Sequence, residues 1–291
     1  MFETLKNAFK VKEIRKKIFI TLLLLLVYRI GCYIPVPGLD GAQFTTVIEG
    51  NNFLNLMNAV TGGALASGTL FALGIGPYIN ASIIIQLLSV GIPALERLSK
   101  EGEEGKKKIA QLTRYLTLIL AIVQAIGVII NFANDSAISS QIIALFGGEG
   151  NKWLVYIYMT IIYSAGAMLT MWLGERITEY GVGNGISLVI FVGIISTAGI
   201  TIIIEPIEEM VANGFDAGTL ISIVIFCVIA IVIFALIVAV DLAERRIPVQ
   251  YAKQVKGRKM YGGQSTVIPI KISGSGVMPL IFAFAIISLP D

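Results

Sequence analysis

The sequence predicts an all-α polytopic membrane protein. Two observations carry that prediction: long apolar stretches recur along the chain, and basic residues alternate between successive connections. Hydrophobic residues make up 56 % and charged residues 14 % of the chain, a balance that sets water-soluble folds aside. A helix needs about 20 mostly apolar residues to cross a bilayer. Segments of that order lie near 18–36, 69–90, 110–132, 152–173, 185–204, 217–240 and 272–290.

The first segment follows Lys16 and Lys17 and opens with the run Ile18–Val27. That order resembles the basic and apolar regions of a cleaved signal. No small-residue cleavage pattern follows, and Arg29-Ile30-Gly31-Cys32 interrupts the run, so it is read as a retained helix. Arg29, and Arg114 in the third segment, lie near span ends, where long side chains snorkel to the headgroups.

The second segment is broken. Asn52–Val60 is a short amphipathic piece, too brief to cross. Thr61–Gly68 then brings small residues and helix breakers, and Phe71–Asn80 starts the crossing with Gly74, Gly76 and Pro77. A proline inside a helix removes a hydrogen bond and crowds the preceding turn. Backbone groups freed in this way cannot face lipid. The pattern predicts a half-helix folded into the protein, beside a cavity; a hinge at the membrane surface is the alternative.

Ahead of the third segment, Glu101–Lys108 mixes both signs and reads as a solvated turn. The fifth segment opens with Glu179-Tyr180-Gly181-Val182-Gly183-Asn184-Gly185-Ile186-Ser187. No Lys-Ser/Thr follows and no strand precedes, so a phosphate-binding loop is rejected. The glycines suit tight turning and close helix approach. Between the sixth and seventh segments, residues 241–271 are polar. Ile247, Val249 and Tyr251 alternate with Pro248, Gln250 and Ala252, which suggests a strand. Lys256–Lys259 reads as a turn and Ser265–Ile268 as a returning strand, giving a basic-tipped hairpin. Its charge either orients the chain and attracts anionic lipid or docks a partner, an acidic protein or RNA phosphate.

Basic charge fixes the orientation. The N-terminal stretch carries Lys6, Lys10, Lys12, Arg15, Lys16 and Lys17. The second-to-third connection carries Arg97, Lys100, Lys106, Lys107 and Lys108, and the fourth-to-fifth Arg176. The sixth-to-seventh carries Arg245, Arg246, Lys253, Lys256, Arg258, Lys259 and Lys271. Lys152 alone borders one of the others, and the fifth-to-sixth holds Glu205, Glu208, Glu209 and Asp216 unopposed. Alternation of this kind is the positive-inside pattern, and it places the N-terminus in the cytoplasm. Cys32 and Cys227 both fall in apolar spans and give neither a disulfide framework nor a metal site. Without histidine, imidazole general bases, triads and most zinc chemistry are removed.

Several blocks together resemble the SecY family. They are Tyr33–Gly38, Thr61–Leu65, Phe71–Ile79 with Ala81–Leu88, Glu101-Gly102-Glu103 with the lysines after it, Gly183–Ser187, Glu244–Val249 with Tyr251-Ala252-Lys253, Gln264-Ser265-Thr266, and Gly276–Pro279. They follow the family's order along essentially the whole chain. The resemblance implies a SecY-type inverted-repeat helical bundle around a pore, ten spans in two halves, with a side opening toward lipid. It divides this chain into an N-terminus at 1–17, a complete first half at 18–206 and the start of the second at 207–291, with the polar loop 241–271. The family's later helices are absent, so a C-terminally incomplete chain is implied.

The resemblance also assigns parts. The stretch near 54–69 matches the plug that occludes the pore, with Leu56, Met57, Val60, Gly62, Gly63, Ala64, Leu65, Ala66 and Ser67. Ile75, Ile79, Ile186, Ile190 and Ile281 match pore-ring positions. Ile75/Ile79 and Ile186/Ile190 are i, i+4 pairs, so each pair shares a helix face. A narrow apolar constriction blocks ions by dewetting, and its stiff β-branched side chains suit a gasket. By the residues alone, isoleucines in spans mostly face lipid. Small plug side chains make displacement cheap. Asn80, Gln86 and Gln124 are polar residues near the implied side opening. They either hydrogen-bond across it, at about 0.6–2 kcal/mol each, or are satisfied within their own helices.

The implied partners are SecE- and SecG-like small membrane subunits, a SecA motor ATPase or a translating ribosome, signal-sequence-bearing polypeptides and lipid. Arg245, Arg246, Lys256, Arg258 and Lys259 are the docking candidates. The implied activity is a protein-conducting channel in the bacterial plasma membrane, without cofactor and without catalysis of its own. An ion-coupled transporter of a small molecule would also use broken helices and repeats. It wants an ionisable group near the midplane, and the central parts of these spans hold no Asp, Glu or Lys. A membrane-embedded hydrolase would need the histidine or deep acidic pair that the spans lack.

Overall fold

The computed structural model describes residues 10–36, 52–133, 152–213, 217–250, 254–256, 259–261 and 265–271. The expected seventh span, with Ile281, lies outside the described residues, as does Arg258. The chain divides into two compact units, Met1–Thr201 and Ile202–Asp291.

In the first unit, helix α1 (Lys12–Gly31) begins inside the basic stretch. The expected span to residue 36 ends early. Pro35 fixes its own backbone and biases Ile34 away from helix. The chain turns extended instead, with Pro35 bridged to Thr69. The Val36 N–H donates to the Gly68 carbonyl at 3.0 Å, and the Leu70 N–H to the Ile34 carbonyl at 3.0 Å.

Helix α2 (Asn52–Thr61) is the expected short piece. Residues 62–75 are not helical. Helix α3 (Gly76–Gly91) starts only then, with Pro77 in its first turn. Pro77 therefore does not break a helix. It sits where its missing N–H would have no helical partner in any case. Helix α4 (Pro93–Lys100) leaves α3 at a bend of 103°. The expected solvated turn at 101–108 shrinks to Glu101-Gly102, because α5 (Glu103–Ala133) begins at once. Glu103 and Glu104 open it, where acidic charge favours the helix dipole. Helices α6 (Lys152–Tyr180) and α7 (Gly185–Gly199) complete the unit.

Helix α5 packs on α3 and α6, and α6 on α1 and α7, while α2 lies on α7. Two buried apolar clusters result. One joins Val36, Leu65, Ala72 and Leu73 to α5 and α6. The other joins Tyr28, Cys32, Ala64, Phe71 and Ile75 to Leu173, Ile177 and Val189.

A π-helical turn (Ile200–Ile204) follows α7. In the second unit, α8 (Glu205–Asn213) starts with Glu205 and Glu208, so the acidic connection is helical. Helix α9 (Ala217–Asp241) is apolar on every side, and its apolar side chains are exposed. Strand β1 (Glu244–Gln250) pairs antiparallel with β4 (Ser265–Lys271). Inside that pair, β2 (Gln254–Lys256) meets β3 (Lys259–Tyr261), Lys256 opposite Lys259. Among the described residues, Glu103–Ile130, Trp153–Tyr180, Gly185–Glu208 and Gly218–Asp241 are long and apolar enough to cross a membrane, and the bent α3–α4 pair passes jointly.

Candidate functional site

The site is built on the backbone between α2 and α3. Gly62, Gly63, Gly68 and Gly74 all have positive φ, a region costly for residues with a side chain. They let the chain coil back on itself. Asn58 anchors the coil: its Oδ1 accepts the Ala66 N–H at 2.8 Å, and its carbonyl accepts the Gly63 N–H at 3.0 Å and the Thr61 hydroxyl at 3.1 Å. The Thr69 hydroxyl donates to the Ala64 carbonyl at 2.9 Å. The segment thus bonds part of its backbone internally and part to α1 and the stretch after it, through Arg29, Ile34 and Val36, as non-helical backbone away from water requires.

The surrounding helices accept it only because they carry glycine. A Cβ on Gly193 of α7 would lie 2.5 Å from the Val60 carbonyl oxygen, and one on Gly166 of α6 would lie 1.9 Å from that of Leu70. A Cβ on Gly31 of α1 would lie 2.0 Å from the Phe71 ring, which stacks on Tyr28 at 5.7 Å between centroids. The segment alternates between the two clusters: Leu65, Ala72 and Leu73 enter one, and Ala64, Phe71 and Ile75 the other. Leu65 is 0 % and Ala64 1 % exposed. The expectation that the segment packs loosely is corrected here. Small side chains let backbone meet backbone, and that contact is dense.

Ile75 forms the N-cap of α3, and its carbonyl accepts the Ile79 N–H at 3.1 Å. Ile186 and Ile190 lie in the first two turns of α7. All four isoleucines belong to one cluster, Ile75 buried and the other three half-buried. Ile75 and Ile186 both reach Gly174 of α6, where a Cβ would stand 3.5 Å from Ile75 Cδ1 and 3.3 Å from Ile186 Cγ1. Asn184 caps α7 by accepting from the Ile186 and Ser187 N–H groups. The Gly185 N–H donates to the Thr178 hydroxyl at 2.8 Å. The glycines before α7 thus serve a tight turn and a close helix approach.

Of the other plug candidates, Met57 and Ala66 pack against the first cluster, Val60, Gly62 and Gly63 are half-buried, and Ser67 is exposed. Leu56 lies in α2. Asn80 is half-buried on α3. Gln86 donates to the Ser82 hydroxyl at 3.3 Å, one turn back on its own helix, so its cross-seam role is corrected to an intrahelical one. The Gln124 Oε1 is buried without a partner.

Both arginines in the apolar segments have protein partners. Arg114 pairs with Glu175 through two contacts of 2.9 Å, joining α5 to α6. Arg29 is half-buried. It donates to the Gly62 carbonyl at 3.1 Å, to the Ser196 hydroxyl on α7 and to the Tyr33 hydroxyl at 3.3 Å. Its guanidinium also lies 5.1 Å from the Tyr33 ring centroid. In each case a protein acceptor lies within reach. Arg29 and Asn58 were not singled out for this site from sequence, although a lone cation inside an apolar run was the available signal.

In the second unit, Arg245 and Arg246 are exposed on β1, opposite Ile270 and Pro269 of β4. Lys256 and Lys259 flank the tip of the inner hairpin.

Comparison with known proteins places this arrangement. The family model for SecY matches residues 69–291. The chain is 42 % identical to the protein translocase subunit SecY of Streptomyces coelicolor, over 100 % of this chain and 66 % of that protein. It is 41 % identical to that of Halalkalibacterium halodurans, again over 100 % of this chain and 66 % of the relative. It therefore spans just under two thirds of the curated relatives it matches. A solved protein-conducting channel superposes with a TM-score of 0.62 at 23 % identity, covering 95 % of this chain and 57 % of that one. A SecY structure whose plug domain is described as stabilising the closed channel superposes at 0.58, also at 23 % identity, covering 96 % of this chain and 57 % of that one. The chain belongs to the SecY family and has its fold.

Proposed function

We propose that this SecY-family chain forms the first half, and the start of the second, of a protein-conducting channel. The channel passes unfolded secretory polypeptides across the bacterial plasma membrane and releases membrane segments sideways into lipid. The observation that supports this reading is that Ile79, Ile186 and Ile190 all pack against the buried cluster that holds Ile75, at the end of the coiled segment 62–75. Four β-branched apolar side chains give a waist that sheds water when narrow. They offer a passing peptide no fixed hydrogen-bond code, so varied sequences fit. Residues 54–69 are read as the plug, and Ile281 as a further ring member.

Energy would come from a partner, a motor ATPase or a translating ribosome, acting on the exposed β1–β4 projection. SecE- and SecG-like subunits would complete the assembly, and the N-terminus and basic loops would face the cytoplasm. Asn80 and Gln124 remain candidates for the side opening.

Two experiments test this reading in the full-length, assembled protein. A cysteine at Ile79 or Ile186 is expected to crosslink to a secretory chain stalled in transit. If a stalled chain crosslinks instead to exposed positions such as Val123 and never to these two, the waist is elsewhere. Reversing charge at Arg245 and Arg246 is expected to weaken partner binding at physiological salt while membrane insertion stays normal. Undiminished binding would remove this face as the dock.

A further inference from the structure

We infer that Arg29 is the positioning residue that seats the plug, a latch drawn from the first helix to the segment it holds. This rests on the plug reading above. The observation is one guanidinium shared by three elements. It leaves α1, donates to the Gly62 carbonyl at 3.1 Å, and donates to the Ser196 hydroxyl on α7. Tyr33 adds an acceptor at 3.3 Å and a ring face.

Three features make this a latch rather than incidental contact. First, Arg29 has no acidic ion-pair partner among the described residues, so carbonyl and hydroxyl oxygens carry its charge. A charge held only by the seated segment and its neighbours favours the seated state. Secondly, the acceptor belongs to a residue at φ 74°, where a Cβ would press to 2.6 Å from Arg29 Nη1 and 3.1 Å from the Gly193 backbone. The positive φ at Gly62 and the bare face of Gly193 bring carbonyl, guanidinium and α7 together at one point. Thirdly, Gly62 is the first residue beyond α2. Holding its carbonyl fixes the place where the chain leaves that helix, while Ala64 and Leu65 behind it fill the two clusters.

Unseating the segment breaks the Gly62 bond and leaves the guanidinium with the Ser196 and Tyr33 hydroxyls alone. A hydrogen bond to a charged group is worth roughly a tenfold change in an equilibrium, or more.

The test uses the full-length protein in its assembled complex, in vesicles. A cysteine placed at Ala66 reports seating through its labelling rate with a water-soluble maleimide. Arg29→Leu is expected to raise that rate about tenfold. Arg29→Lys, which keeps a charged donor, is expected to restore most of the protection. A rate unchanged by Arg29→Leu overturns the latch, and so does a rise that Lys fails to rescue, because that pattern marks a general loosening of the helix. Should Arg29→Leu fail to accumulate, Ser196→Val removes the hydroxyl acceptor and crowds the guanidinium. It is expected to raise the rate several-fold, and no change with it also overturns the latch. Bilayer conductance after deletion of residues 55–67 tests the plug reading separately. Increased conductance there with an unmoved Arg29→Leu rate leaves the plug and removes the latch. Unchanged conductance removes the plug reading itself.

Discussion

Two glycine-rich stretches precede two helices in the first unit, and they end in opposite surroundings. The stretch before α3 threads between both apolar clusters, with glycines of α1, α6 and α7 against it. The stretch before α7 is a surface turn. Gly183 there has a positive φ and open space around it, and Asn184 is exposed while it caps the helix. The same residue type therefore does two jobs. At 181–185 glycine serves conformation at Gly183 and close approach at Gly185, where a Cβ would lie 2.1 Å from the Gly174 carbonyl oxygen. At 62–74 it serves conformation while its counterparts on neighbouring helices serve proximity. Composition alone does not separate these jobs, because the second depends on what arrives from elsewhere in the chain.

Substitutions can break or sharpen that contrast. The largest effect is expected at Gly166, which faces the buried stretch and keeps ordinary helical geometry. A Cβ would lie 1.9 Å from a backbone oxygen that has no free rotamer. Gly166→Ala should destabilise the full-length protein in detergent by about 3 kcal/mol or more, read as an earlier onset of thermal aggregation. A near-neutral result would show that the close approach is not rigid.

Next come Gly63→Ala and Gly183→Ala, one from each stretch. Both glycines have positive φ, 83° and 75°, and neither would meet an atom within 4 Å. Each change should cost about 1–2 kcal/mol from backbone conformation alone. Equal midpoints of protease resistance for the two variants would support a purely local cost. A much larger loss at Gly63 would show that the coiled segment tolerates no local adjustment. The smallest effect is expected for Asn184→Ala, about 1 kcal/mol for the lost cap, measured by the same protease assay.

The spans were legible from sequence because apolar length is a local property, and α5, α6, α7 and α9 follow the apolar runs closely. The hairpin in 241–271 was legible for the same reason, since alternation at Ile247, Val249 and Tyr251 needs no distant partner. The start of α3 was not. Pro77 reads equally as a kink or as a first-turn residue, and only the coil ahead of it decides. For Gln86 the residues left open a partner across the side opening or one within its own helix. That partner, Ser82, lay one turn away. The pore-ring isoleucines came from family resemblance, since isoleucine in a span says little by itself. What the spacing of residues could not supply was the meeting of Arg29 with Gly62 and Ser196, which joins three separated parts of the chain.

The stacking of Phe71 on Tyr28 has a mechanical consequence. Phe71 lies four residues before Ile75, and both sit in the cluster that α1 helps to build. A rotation of the first helix would therefore move that ring pair and the backbone that leads from Phe71 to Ile75. If the proposed waist forms at Ile75, its width becomes a quantity that the first helix can set from behind, like a tuning peg acting on a string.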